Sequence, residues 1–306
     1  MQDAIRAEGL RCRIGKAWAV DGVTLQVKTG ELFGLVGPDG AGKSTLVRMF
    51  TGTLQPTTGK LEVLGQPVSG LRGAGLLRAQ VGYMSQTLSL YDDLSVLQNL
   101  RFCAQLFGVT DPTDRVKRLL AATGLTGHEQ KLASNLSGGM RQKLALACAL
   151  IHEPKLVCLD EPTTGVDPVS RRDFWELIVH FQKQGVTFVV CTPYMDEAER
   201  CHRVGFIMNG RILSVESPAR LKKGFGCSVF EVAFPSGREA LAMARKLQSD
   251  LSVRVVGDKL RVLVNLGVES VELEALVLKA SPDSKIHLGV TSPSLEDVFV
   301  SLVQAP

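Results

Sequence analysis

Residues 37–44 read GPDGAGKS, the spacing G-x-x-x-x-G-K-S, placed between an apolar run, LFGLVG, and a helix-forming run, KSTLVRMF. Residues of this kind are suited to holding phosphate. Glycines at 37, 40 and 42 let the backbone fold around an anion with several N–H groups pointing inward, and a helix opening at Lys43 adds the partial positive charge of its N-terminus. Lys43 supplies a point charge for β- and γ-phosphates, and the Ser44 hydroxyl a ligand for Mg²⁺. The run Gly37, Pro38, Asp39, Gly40, Ala41, Gly42, Lys43, Ser44 and Thr45 is therefore expected to bind a nucleoside triphosphate. A second apolar run, KLVCLD, ends on Asp160 with Glu161 next. An acid at the carboxyl end of such a strand is how a nucleotidase holds its metal, so Asp160 is expected to bind Mg²⁺ through water and Glu161 to polarise an attacking water. Alone, a strand ending in Asp-Glu reads as a helix cap; the phosphate loop upstream reverses that reading.

The elements that must position these residues alternate along the chain. Strands are expected at LFGLVG (32–37), KLEVL (60–64), KLVCLD (155–160), TFVVC (187–191) and VGFIM (204–208), which implies an α/β layer architecture. Residues 95–152 hold no good strand and read as three or four helices, an inserted lobe of about residues 87–152. After the basic linker RLKKGFG the pattern changes to strand (228–233), helix (237–247), strands (252–256, 259–264), helix (269–280), strand (285–290) and a helix from Ser294. We therefore expect a domain of 1–224 with a mixed β-sheet and a small α+β domain of 225–306.

Composition narrows the class. The chain has 306 residues, 45% of them apolar, and a net charge of +4 from scattered basic residues, so no nucleic-acid patch is demanded. Seven cysteines with no C-x-x-C pair fit a reducing, cytosolic setting. No apolar run approaches the ~18 residues of a membrane span, and the N-terminus carries acid where an export signal would be basic and then apolar. The expectation is a cytoplasmic protein, held at a membrane through a partner.

Residues 191–200, CTPYMDEAER, stand where the strand TFVVC runs out and before the next expected strand, VGFIM. Thr192 reads as a helix cap, Pro193 as the first helical residue, and Asp196, Glu197 and Glu199 as charge near the positive end of the helix dipole.

Residues 136–140, LSGGM, add a capping Ser137 and a bare first turn at Gly138 and Gly139 where an anion can approach backbone N–H groups. Here the chain resembles the nucleotide-binding subunits of ATP-binding cassette transporters over about residues 5–220, with Met140 a mild departure from the family's LSGGQ. The motifs come in the family's order: GPDGAGKS, Gln86 in GYMSQ as the glutamine loop, LSGGM, KLVCLDEP, and GVDP at 165–168 as the D-loop. The resemblance implies a P-loop cassette fold, ATP and Mg²⁺ as ligands, Gln86 at the metal and the catalytic centre, and a head-to-tail pair of cassettes. In that pair Ser137, Gly138 and Gly139 reach the other subunit's ATP, and the partner is a like or unlike cassette. It also implies a membrane-spanning partner touched by the helical lobe, on the cytoplasmic face, with export as the task and the multidrug exporter group as the most similar. Two residues depart from the pattern. Pro193 stands where the family has a histidine that reaches the γ-phosphate, which implies slow hydrolysis; Ile14 stands where an aromatic stacks on adenine, with Trp18 available instead. The alternative is a nucleotide-switched regulatory protein with little turnover; a P-loop protein outside the family is opposed by LSGGM and Gln86.

Overall fold

LFGLV, LVCLD and TFVVCT are buried at every position, as strands covered on both faces of a parallel sheet must be. In the computed structural model, which describes residues 2–68, 75, 77–247, 252–265 and 287–304, they form the middle of a six-stranded sheet. Its strands are β3 (Leu32–Val36), β6 (Val81–Met84), β7 (Leu156–Asp160), β8 (Thr187–Thr192), β9 (Arg203–Met208) and β10 (Arg211–Glu216), in the order β10-β9-β3-β8-β7-β6. All neighbours run parallel except β10, which returns antiparallel on β9.

A second, antiparallel sheet holds β1 (Asp3–Ile14), β2 (Ala17–Lys28), β4 (Thr58–Val63) and β5 (Gln66–Pro67), in the order β2-β1-β4-β5. The long hairpin β1–β2 was not among the expected strands. Its period of two is broken by register shifts between Ala7 and Leu10, beside the left-handed Gly9, and between Leu10 and Arg11. Leu10, Val20, Val23, Phe33, Leu35, Leu46 and Phe50 pack in one core that joins the two sheets through the helix Lys43–Phe50. The expected helical lobe contains the helices Val96–Leu106, Thr113–Thr123 and Gly138–Leu150 and the 3-10 turn Ala133–Asn135. Ser95 and Gln98 close the first of these with a capping box. Buried Asn99 then accepts from the Tyr91 N–H and donates to the carbonyls of Tyr91, Leu94 and Ser95, fixing the stretch that leads into the lobe.

The chain divides into two units, Met1–Pro218 and Ala219–Pro306. Part of the expected linker is helical, over Pro218–Lys223, because Arg, Leu and Lys are good helix formers. In the second unit β11 (Cys227–Ala233), β12 (Ser252–Val256), β13 (Lys259–Asn265) and β14 (His287–Thr291) pair antiparallel in the order β12-β13-β11-β14. Phe230, Val232, Leu260 and Val262 bury one face against Ala240, Met243 and Leu247 of the helix Gly237–Leu247. The helix expected at 269–280 lies outside the described residues.

The final helix, Leu295–Gln304, begins where Ser294 and Asp297 exchange capping hydrogen bonds. Asp297 also receives Arg261 at 2.7 Å and Arg254 at 3.1 Å. Burial raises its pKa, but the Ser294 N–H, the Arg261 guanidinium and the Ser294 hydroxyl outweigh that and hold the carboxyl below its ordinary value. A depressed folded value means that the unfolded chain binds the proton more readily. The group therefore contributes stability above about pH 4, lost as pH falls through the folded value. The 219–306 unit is expected to lose protection in hydrogen exchange between about pH 5 and pH 3, and Asp297→Asn to lower protection at neutral pH and flatten that decline. Equal pH slopes in the two proteins would contradict this account.

Candidate active site

Three strands end side by side: Val36 of β3 pairs with Thr192 of β8, and Cys191 of β8 with Asp160 of β7. The carboxyl ends of β3, β8 and β7 thus deliver GPDGAGKS, the turn after Thr192 and Asp160-Glu161 to one edge, where open α/β sheets place their ligand crevice. A cavity of about 380 Å³ lies there, lined by Asp39, Gly40, Lys43, Ser44, Gln86 and Glu161 among others.

The loop can take its path only with glycine at two points. A Cβ on Gly37 would lie 2.1 Å from the Ile207 carbonyl oxygen, and one on Gly42, whose φ is 104°, 2.4 Å from that of Ala19. Gly42 is also the N-cap of the helix Lys43–Phe50 and offers no side-chain cap, so the first N–H groups of that helix have no capping side chain. Ala41 is different from its neighbours: its side chain is buried in the core and its N–H donates to the Pro38 carbonyl.

Lys43 is 4% exposed and donates to the carbonyls of Gly37 at 2.8 Å and Pro38 at 2.9 Å, with the Glu161 carboxylate 3.7 Å away. A buried ammonium held only by loop carbonyls and nearby carboxylates is the cation that a triphosphate would meet on entering. Ser44 Oγ donates to Asp160 Oδ1 at 3.1 Å. A hydroxyl, a carboxylate and the amide of Gln86 form an all-oxygen donor set of the kind that suits Mg²⁺. Asp160 is 3% exposed; burial raises its pKa, the Ser44 hydroxyl opposes this, Glu161 adds to it and Lys43 opposes it. A divalent cation would relieve that raised carboxyl.

Glu161 adopts a left-handed φ of 50°, rare for a side chain with a Cβ, and its N–H donates to the Cys191 carbonyl at 2.9 Å. Its carboxylate accepts from Gln86 Nε2 at 3.1 Å and Thr164 Oγ1 at 3.3 Å. Gln86, found in the sequence only through its motif, thus faces the same carboxylate as Lys43. Ala19 and Thr164 are site neighbours that carry no sequence signal. Cys158 and Cys191, on the strands beneath, are buried free thiols whose pKa values burial and Asp160 push up.

The LSGGM signature, residues 136–140, lies elsewhere on the chain. Ser137 caps the helix Gly138–Leu150, accepting from the Met140 N–H at 3.3 Å. Gly138 is open, whereas a Cβ on Gly139 would lie 2.5 Å from Ser170 Cβ, so the second glycine is needed for packing against the helix Pro168–Lys183. In GVDP, Asp167 caps that same helix through the N–H groups of Val169 and Ser170, and Pro168 is its first residue. Arg141 ties the signature helix back to Asp92 and the Ala133 carbonyl.

The ABC transporter profile matches residues 20–164. The Nod factor export ATP-binding protein I of Rhizobium sp. (strain N33) is 35% identical over 305 residues, 98% of this chain and 96% of that relative. The chain belongs to the ABC transporter family. The probable multidrug ABC transporter ATP-binding protein YbhF of Escherichia coli (strain K12) is 43% identical over 223 residues, 72% of this chain, and the match spans 38% of YbhF's length. Among solved structures, CbiO1 of Clostridium perfringens, part of the transporter complex cbiONQ, superposes with a TM-score of 0.66 at 26% identity, covering 82% of this chain and 96% of that one. The mixed α/β architecture is that of the ABC ATPase cassettes. Among the described residues no helix is long and apolar enough to cross a membrane.

Two features of this cassette differ from expectation or from the family's pattern. The turn after β8 is not a Thr-capped helix starting at Pro193. Thr192 remains in β8 and the helix is the short Met195–Ala198, with Tyr194 as an N-cap that makes no side-chain bond. The reason is that the Thr192 hydroxyl is committed to buried Glu197 at 2.6 Å while accepting from the Tyr194 N–H. Asp196 and Glu197 do lie in the first turn, but Glu199 is at the C-cap. Pro193 follows the strand between the phosphate loop and Asp160, and offers neither side-chain nor backbone donor there. Ile14 and Trp18 lie at the end of the β1–β2 hairpin, 52% and 43% exposed, with the guanidiniums of Arg11 and Arg13 within 5.9 Å of the Trp18 ring. Neither lines the cavity, although Ala19 does.

The two signature glycines separate in a stability measurement. Gly139→Ala is expected to destabilise the protein by about 1–3 kcal/mol through overpacking on Ser170. Gly138→Ala is expected to leave stability unchanged or raise it by up to about 1 kcal/mol. Denaturant midpoints of the two variants check this.

Proposed function

We propose that this chain is the ATP-binding and ATP-hydrolysing subunit that powers export through a membrane-spanning partner. The observation that carries the reading is the convergence of Lys43, the Ser44–Asp160 pair and the Gln86–Glu161 pair on one cavity at the N-terminus of the helix Lys43–Phe50. On this reading residues 37–45 cradle the triphosphate and Lys43 leaves its loop carbonyls for the β- and γ-phosphates. Ser44, Gln86 and Asp160, the last through water, would hold Mg²⁺, which would supply charge neutralisation at the phosphates. Glu161, oriented by Gln86 and Thr164, accepts a proton from the attacking water.

The exposed Ser137 and Gly138, with Gly139, complete the site of a second cassette in a homodimer or heterodimer, because none of the three lines this chain's own cavity. Ile14 and Trp18 flank the adenine. Export as the task is supported by the names of the Nod factor export and multidrug transporter relatives, and a place on the cytoplasmic face beside a membrane subunit is the position that this task requires.

Pro193 makes the turnover slow. The place from which a side chain would donate to the γ-phosphate is filled by a residue without a donor, and the neighbouring Thr192 hydroxyl is turned toward Glu197. One missing donor of this kind commonly lowers a rate by about 10²- to 10³-fold. Phosphate release from saturating Mg-ATP is expected to be slow in the natural protein and one to three orders of magnitude faster in Pro193→His. Glu161→Gln is expected to lose turnover while ATP still raises the melting temperature, and Lys43→Ala to lose the ATP-induced rise as well. A natural protein that already turns over as fast as Pro193→His would refute the role given to the proline.

A further inference from the structure

Behind Pro193 lies a carboxylate that the proposed hydrolysis does not use. Glu197 is 1% exposed, and so are the two threonines beside it, Thr163 and Thr192. Thr192 Oγ1 donates to Glu197 Oε2 at 2.6 Å, and Thr163 Oγ1 donates to Glu197 Oε1. Each oxygen of a carboxylate that can only accept is thus taken by a hydroxyl from a different segment, the end of β8 and the turn after β7. Arg171, on the helix capped by Asp167, brings a buried Nε within 3.8 Å of the same carboxylate and lays its guanidinium over the Tyr194 ring at 4.7 Å. That Nε has no hydrogen-bond partner, and the guanidinium charge is shared between Glu197 and Asp196, whose carboxylate lies 3.8 Å from Nη1.

Thr163 is two residues from Glu161, and its neighbour Thr164 bonds the Glu161 carboxylate. Glu161 holds a left-handed φ of 50°, a conformation that persists only where the surroundings over-determine it. The Glu161 N–H anchored on Cys191 fixes one end of this stretch, and the Thr163–Glu197–Thr192 bridge fixes the other. We infer that Glu197 is a positioning residue that locks the loop bearing Glu161 to the turn bearing Pro193, so that Glu161 is held in place although residue 193 offers no donor. The inference rests on the hydrolytic role proposed for Glu161.

The test uses the full chain with Thr163→Val, Thr163→Ser, Thr192→Val and Glu197→Gln. The two valines remove one hydroxyl each at nearly constant volume, and glutamine cannot accept on its nitrogen. The expected result is that Thr163→Val, Thr192→Val and Glu197→Gln lower kcat for ATP by about ten- to a hundredfold with KM within about twofold. Thr163→Ser, which keeps the donor, stays near the natural rate. Hydrogen exchange reads the bridge without turnover: Thr163→Val is expected to raise exchange in peptides spanning 193–199, and Thr192→Val in those spanning 161–167. Exchange that rises only in the loop carrying the substitution, or a KM that rises in step with the fall in kcat, overturns the inference. If the natural protein binds ATP but releases no phosphate, the hydrolytic reading fails, and the reciprocal exchange still decides whether Glu197 joins the two loops.

Discussion

The site depends on the parallel pairing of β8 with both β3 and β7. Parallel strands in register end at the same edge, so the phosphate loop, the turn after Thr192 and the Asp160-Glu161 pair, which are far apart in the chain, come out as neighbours. Every apolar side chain in those three strands serves that outcome. Burial on both faces keeps Phe33, Leu35, Cys158 and Val190 from water.

At that edge the fold has to keep charge in a place where charge is costly. Lys43 and Asp160 are both nearly buried, and neither has an ideal ion pair: the ammonium rests on two carbonyls and the carboxylate on one hydroxyl. Burial raises the carboxyl pKa for the same reason. A site so arranged is short of anion on one side and of cation on the other, and a metal-bound triphosphate answers both needs at once. Glu161 extends the pattern, since its left-handed backbone is retained by hydrogen bonds from two directions rather than by its own preference.

The second unit follows a different rule. Its antiparallel sheet buries one face under the helix Gly237–Leu247, and its charged network centres on Asp297, Arg254 and Arg261. No residue of that network has the loop-and-helix geometry of a phosphate site.

Much of this could be read from the chain alone because its signals are local. Three largely apolar runs identify the central strands, glycines at 37 and 42 mark a backbone folded around an anion, and Ser137 and Ser294 mark helix starts through bonds made within three residues. What could not be read is non-local. The β1–β2 hairpin hid behind bulges that break its alternation. The turn at Pro193 looked like a capped helix because its local chemistry is that of a cap; only a distant partner, Thr163, shows that Glu197 faces inward and takes the Thr192 hydroxyl with it. Gly139, read as part of a bare first turn, is also the surface against which Ser170 packs. The sequence by itself determined the phosphate loop, the acidic strand end, the family and the absence of a donor at 193, since each depends on residue type and short spacing. Tertiary structure alone decided which side chains share the cavity and which carboxylate is spent on holding loops together, because those facts depend on contacts between segments that only folding brings within a few ångströms.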